Sequence, residues 1–322
     1  MIAPAGGPEK RKTMNPLSGQ EEVVAAYREK IIDEIGYALG IGRTGVMRRL
    51  LGPLFRRPAG RFGRIAARAD AEVESSGISG GARRILPDFS LTVSARGTES
   101  IPADGPLLVV SNHPGALDSV AILSCIPRKD VKVLLSDVPF TRAFSAARQY
   151  FIFVPPETGG RSATLRASID HLRSGGSLLI FAHGDVEPDP EVSPGAGESI
   201  QGWSRSVEIM LRQVPESWLQ VTIASGALAR KFVRNPVVRI RKSPARRQKL
   251  AEVLQLSQQM LFPRSVRTHV HISFAKPVKG MGLAIEEAMP ALAGIARRLL
   301  EDHLSSWRIT PQPARSAPEV RR

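Results

Sequence analysis

Asn112, His113 and, five places after the histidine, Asp118 are the residues whose types and spacing suit chemistry. A carboxylate within hydrogen-bond reach of one imidazole nitrogen fixes the ring's tautomer and stabilises its charged form. The other nitrogen is then free to take a proton as a general base. Such a pair suits the removal of a proton from a hydroxyl while its oxygen attacks an electrophile. The spacing by itself is weak, since a His-x4-Asp pair arises by chance in roughly one chain of this composition in five. Its surroundings give it weight. Leu107–Val110 is an apolar run that reads as a buried strand, and Pro114-Gly115 is a sharp turn opening a helix. That turn leaves His113 at the strand's mouth and sets Asp118 in the first helical turn, where the two side chains can meet.

The elements that must position this pair begin near Phe89. FSLTVSARG alternates apolar and polar residues like a half-buried strand, and IPADGP is a turn. Short apolar runs then recur: VKVLLS, FIFVP, SLLIFAHG, LQVTIAS, VVRIR and HVHISFA. Helix-like segments at 115–126, 139–149, 161–174 and 199–213 separate most of them. This alternation predicts an α/β fold, a mostly parallel mixed sheet flanked by helices, with an N-terminal helical extension. Catalytic groups in such sheets gather at strand ends, which suits His113. Four regions follow: a disordered tail at 1–17, a basic amphipathic helical region at 18–85, the α/β domain at 86–282, and a C-terminal helix and tail at 283–322.

In the N-terminal region, Ser18 and Glu21 have the spacing of a capping box. Val24, Tyr27, Ile31, Ile35 and Ala38 recur at helical spacing, with Gly40 as a stop. The stretch after it interleaves Val46, Met47, Leu50, Leu54, Phe55 and Phe62 with arginines, as a basic amphipathic helix broken at Pro53 and Pro58. A lipid interface and the flank of the main domain are both open to such a helix. Gly40–Gly45 fits G-x-G-x-x-G but follows no strand. Gly77–Gly81 fits G-x-S-x-G but lacks the apolar strand a nucleophile elbow needs, so both read as linker chemistry.

The chain has 322 residues and a net charge of +15. Eight arginines and no acid lie between Arg43 and Arg68, and nine basic residues and no acid between Arg230 and Lys249. Such runs attract anionic lipid or the phosphates of a carrier cofactor. Nucleic acid is disfavoured as a partner. Only three Trp and three Tyr are present, no stacking aromatics interleave with the basic runs, and no helix-turn-helix or zinc pattern occurs. A single cysteine, Cys125, excludes a disulfide framework and fits a reducing compartment. No apolar stretch approaches the ~18 residues of a membrane span, and the N-terminus lacks a signal peptide's apolar block. The expectation is a cytoplasmic protein, peripherally associated with the membrane.

Glu187, Asp189 and Glu191 alternate in a Pro-rich stretch but lack the glycine placement and closing glutamate of a calcium loop, so they read as a solvated loop lining the acceptor entrance. His171, His269, His271 and His303 have no partner pattern. His269 and His271 share a strand face without further ligands nearby, so no metal is expected.

Several blocks, in order, resemble the glycerolipid and lysophospholipid acyltransferase family, which carries an N-H-x4-D motif. The resemblance runs roughly from Leu91 to Val278: TVSARGTESIPADGPLLVVSNHPGALD first, then FIFVPPETGGRSATLRASIDHLRSGGSLLIFAHGDVEPD, and VHISFAKPV as the closing strand. It implies acyl transfer from acyl-CoA or acyl carrier protein, as co-substrate rather than a permanently bound cofactor, to a hydroxyl of a lipid acceptor. His113 would be the base and Asp118 its orienting partner, with Asn112 beside them at the substrate. Gly184 falls at the glycine of the family's F-P-E-G-T-R block, where a backbone N–H would help bind substrate or the developing oxyanion. This chain departs from the block, reading Ala182-His183-Gly184-Asp185-Val186. The family's phosphate-gripping arginines are missing, which leaves Arg161 and His183 as the candidate substitutes.

Overall fold

The computed structural model describes residues 16–38, 46–156, 158–241, 243–282 and 288–309. Two long helices open it, α1 (Pro16–Ala38) and α2 (Val46–Ile85), the second kinked at Gly77, whose φ is +69°. Then come β1 (Leu91–Arg96), β2 (Leu107–Ser111), α3 (Asp118–Cys125), β3 (Val131–Ser136) and β4 (Phe151–Val154). They are followed by α4 (Arg161–Arg173), β5 (Ser177–Phe181), the single turn α5 (Ala196–Ser199), α6 (Ser206–Gln213) and β6 (Trp218–Ser225). Two more single turns, α7 (Arg230–Val233) and α8 (Pro236–Arg239), lead into α9 (Pro244–Leu261). The described chain ends through β7 (Thr268–Phe274), β8 (Val278–Lys279) and α10 (Ala288–Ser306).

The strands form one sheet in the order β1-β7-β6-β2-β5-β3-β4, with β8 also on β6. β6, β2, β5, β3 and β4 are mutually parallel, whereas β7 runs antiparallel to β6 and β1 runs with β7. The end of β2 and the start of β1 therefore lie at the same edge. β2 sits in the middle, which explains its unbroken apolar run. Leu107 and Val109 point into a core closed by α2, α3 and α9, and Leu108 and Val110 into a second core closed by α4, α6 and α10. All four are fully buried.

The N-terminal helices are part of this packing. Ile65, Val73, Ile78 and Ala82 of α2 enter the first core, and Tyr27, Ile31 and Ile32 of α1 close on Ala59 and Ala66. Gly63 lets α1 and α2 approach, since a Cβ there would lie 3.1 Å from the Val24 carbonyl oxygen. Asp70 accepts the backbone N–H groups of Ser145 and Ala147 at 2.8 and 2.7 Å, locking α2 to the loop before β4. From Phe55 to Ala82 the apolar side of α2 is thus turned onto α1 and the domain, while Leu54 stays exposed.

Several local expectations are corrected. α2 runs through Pro53 and Pro58 without a break, because its packing against α1 and α9 outweighs the lost backbone hydrogen bonds. α1 starts at Pro16, so Ser18 lies inside the helix and not at its cap position. Residues 139–149 hold only 3-10 turns, at 141–143 and 147–150, and 199–213 becomes a helix only from Ser206. VVRIR alternates like a strand but turns into α8, because Asn235 caps the Val237 N–H and Pro236 fits the first helical position. Ser79 of the rejected G-x-S-x-G stretch is buried and donates to the Ile126 carbonyl. Gly40–Gly45 and the N-terminal tail to Asn15 lie outside the described residues.

Candidate active site

The end of β2 delivers Asn112 and His113 to the edge of the sheet. Pro114–Leu117 turns the chain, and α3 begins on Asp118 itself. His113 Nδ1 lies 2.9 Å from Asp118 Oδ2, and the same oxygen accepts the Gly115 N–H at 3.1 Å. Asp118 is wholly buried, while the His113 side chain keeps about a quarter of its surface exposed. The His113 ring stacks on Phe181, from the end of neighbouring β5, at 4.4 Å between centroids. Among the described residues its Nε2 has no partner. Burial works against charge on this imidazole, but the Asp118, Glu252 and Glu187 carboxylates outweigh it and hold the pKa at about 9.

The backbone around His113 is held from three directions. Asn112 is buried, donates to the Ala224 carbonyl at 2.9 Å and accepts the Ala224 N–H at 2.8 Å. Its amide imitates one more rung of the β2–β6 ladder, so the structure assigns it to positioning and not to substrate. Glu187 accepts the His113 N–H at 2.9 Å, and its own N–H donates to the His113 carbonyl at 2.7 Å. From α9, Gln248 donates to the carbonyls of Pro114 and Glu187, and Glu252 accepts the Ala116 N–H. Burial pushes the Glu252 carboxyl up to about 7.

The acidic stretch after β5 is therefore not solvated. Glu187 is 1% exposed and Asp189 0%. The second oxygen of Glu187 accepts Ser199 Oγ–H at 2.9 Å and the Trp203 indole N–H at 3.0 Å. Asp189 accepts backbone N–H groups from Gly226, Glu191 and Leu228, and burial raises its pKa to about 6. These carboxylates tie the catalytic turn, the 182–191 loop and the end of β6 together. Glu187→Ala is expected to cost ~3 kcal/mol, because three partly or fully buried donors lose their acceptor. A urea midpoint equal to wild type would show that the clamp carries no stability.

The other anticipated residues make no hydrogen bond or ring contact with His113 among the described residues. Gly184 has φ +77° with nothing within 4 Å of where a Cβ would sit, and its N–H donates to the Phe181 carbonyl at 3.1 Å. It closes a tight turn, and its N–H is committed there instead of facing an oxyanion. Gly184→Ala should lower stability by ~1 kcal/mol through left-handed strain alone, read from thermal melting. The His183 ring packs beside Gly202, with its Nδ1 buried and unpartnered. Arg161 is exposed at the start of α4, the helix that follows β4 and packs on β4 and β5. It has no ion-pair partner among the described residues. His303 sits buried between Ser225 and Ser273, at 2.8 Å from each hydroxyl, and burial depresses its pKa to about 3. Glu191 lies 3.6 Å from His271, yet no group of three His, Cys, Asp or Glu among the described residues is placed to hold a metal ion.

Gln248 and Glu252 had no part in the sequence expectation. The signal existed: Ser243-Pro244 marks a helix start, and Leu250, Leu254 and Leu261 recur behind it, within and just beyond a run dominated by its charges.

Residues 92–209, the span holding His113, Asp118 and the Glu187 clamp, match the family model described as Acyltransferase. By that match, residues 92–209 are similar to the acyltransferase family. The chain is also similar to the crystal structure of the 1-acyl-sn-glycerophosphate (LPA) acyltransferase, PlsC, from Thermotoga maritima, at 16% identity and a TM-score of 0.46. That alignment covers 89% of this chain and 94% of that one. No curated protein matches the chain. Within the acyltransferase domain, the His113–Asp118 pair stands at the C-terminal edge of the central strand, the usual place for chemistry in an α/β sheet.

Proposed function

We propose that the domain transfers a fatty acyl group from acyl-CoA or acyl carrier protein to a hydroxyl of a lysophospholipid or related lipid acceptor. The observation that carries this reading is the 2.9 Å His113–Asp118 contact, which leaves His113 Nε2 open at the sheet edge of an acyltransferase domain. Nε2 takes the proton of the acceptor hydroxyl as its oxygen attacks the thioester carbonyl. The tetrahedral intermediate collapses, the carbon–sulfur bond breaks, and the imidazolium returns the proton to the departing thiolate. An ester and a free thiol result, with no covalent enzyme intermediate and no permanently bound cofactor. Asp118 holds the tautomer and stabilises the imidazolium between the two proton transfers.

A lipid acceptor places the enzyme at a membrane surface, and the two acid-free basic runs support attraction to anionic lipid on the cytoplasmic side. No described helix is long and apolar enough to cross a membrane. If the acceptor carries a phosphate, Arg161 is our candidate guanidinium after β4, since Arg142 is engaged by Asp137. The deciding experiment supplies both donor types and acceptors with and without phosphate, and reads products by mass spectrometry. His113→Ala serves as control. Transfer that vanishes with His113 supports the proposal; no transfer from either donor to any acceptor overturns it.

A further inference from the structure

Away from His113, Arg28 of α1 and Arg56, Arg57, Arg61 and Arg64 of α2 line a cleft of about 620 Å³, closed on its other side by the end of α9 at Phe262. Arg28 leans on Glu29 at 3.4 Å. Among the described residues no carboxylate pairs with the other four. Guanidiniums gathered without counter-charge repel one another, and their planar forks grip phosphate oxygens two at a time. Several of them around one recess suit a small ligand carrying more than one phosphate. The flat acidic surface of a carrier protein has no comparable fit to a recess.

The cleft also has a defined relation to the catalytic turn. α9 touches that turn through Glu252 and reaches the cleft at Leu261, nine residues or ~14 Å further along its axis. Gln259, near the same end, donates to the Phe89 carbonyl just before β1, so both places lie at one edge of the sheet. Between them Val253, Leu256 and Met260 of α9 face Pro58, Ala59 and Phe62 of α2 across a narrow apolar crevice. We propose that the arginine cleft holds the phosphates of coenzyme A, with its uncharged pantetheine arm running along α9 to present the thioester at His113. The arm is about as long as five extended residues, ~17 Å, which spans the separation. This inference rests on the acyl-transfer reading above and selects acyl-CoA as donor.

The test measures binding of coenzyme A, adenosine 3′,5′-bisphosphate and pantetheine by titration calorimetry without lipid, to the full chain and to Arg56→Gln/Arg57→Gln/Arg64→Gln. All three arginines are exposed, and circular dichroism checks the fold. Wild type should bind the two phosphate-bearing ligands competitively and pantetheine far more weakly. The variant should lose at least tenfold in coenzyme A affinity, with a matching rise in KM for acyl-CoA. Lysine at the same positions should recover only part. Should the triple variant misfold, the single exposed variants Arg57→Gln and Arg64→Gln carry the test, each expected to weaken coenzyme A severalfold; unchanged affinity in both would overturn the assignment. Equal affinity of a folded variant, or no binding by wild type, overturns the assignment. A separate sedimentation assay with phosphatidylglycerol vesicles completes the test: if the variant loses vesicle binding but keeps coenzyme A affinity, the cleft is a headgroup site and the assignment is overturned. His113-dependent transfer from acyl carrier protein alone would remove coenzyme A from the cleft and leave acyl transfer standing.

Discussion

Replacing His113 by alanine is expected to lower acyl-transfer turnover by ~10²–10⁴-fold, the range set by removing a positioned general base. Unfolding should remain cooperative, with a lowered midpoint. Asp118 is wholly buried, and without the imidazole it keeps only the Gly115 N–H as partner. Turnover within tenfold of wild type would take the role of base away from His113. Asp118→Asn separates orientation from charge. An amide oxygen at the place of Oδ2 still accepts from Gly115 and His113, but it no longer stabilises the imidazolium. Its rate should fall by ~10³–10⁴, and the pH dependence should move toward that of an ordinary histidine. A slow variant with an unmoved pH dependence would mean that Asp118 acts on the fold and not on the proton.

The second large effect is that pH dependence. Burial opposes charge on His113, but the Asp118, Glu252 and Glu187 carboxylates hold its pKa at about 9. A base works only when unprotonated, and at pH 7 roughly one molecule in a hundred carries the neutral ring. kcat/KM should therefore climb about tenfold per pH unit from 6 to 8 and level off near 9. Stability should move the opposite way. The folded pKa lies above the unfolded value, so the histidine's contribution is complete below about pH 6.5 and is lost as pH rises through about 9. The difference is roughly 3 kcal/mol. Activity profiles together with urea melts at both ends of the range test the two directions. A flat kcat/KM from pH 6 to 9 would remove His113 from the rate-limiting proton transfer.

The His113–Asp118 contact was legible because it is local: the histidine, the turn and the aspartate lie within six residues, and the strand before them is apolar on both faces. The groups that hold it were not legible, because each acts across a long sequence distance. Nothing near Glu187 announces that its carboxylate closes on the His113 N–H, and alternate acids among prolines look like surface. Asn112 was noticed for its place in the motif, yet its partner is the backbone of Ala224, which no side-chain pattern reveals. α9 was obscured by the charges around its start, and the strand-like alternation of VVRIR gave way to Asn235 and Pro236, two residues with strong backbone preferences. The alternation of strands and helices survived these errors because it depends on the periodicity of many residues.

The fastenings of the catalytic turn reach partners 74, 112 and 136 residues further along the chain, at Glu187, Ala224 and Glu252. On a ribosome adding about 5–20 residues per second, the last of them is made roughly 7–28 s after His113. Within that interval the partners at Glu187 and Ala224 are synthesised first, and the contact from α9 is the last to become possible. The full set of fastenings exists only once α9 has been made, so completion of the turn's bracing is timed by translation: a chain stalled before Glu252 carries the motif without its last brace.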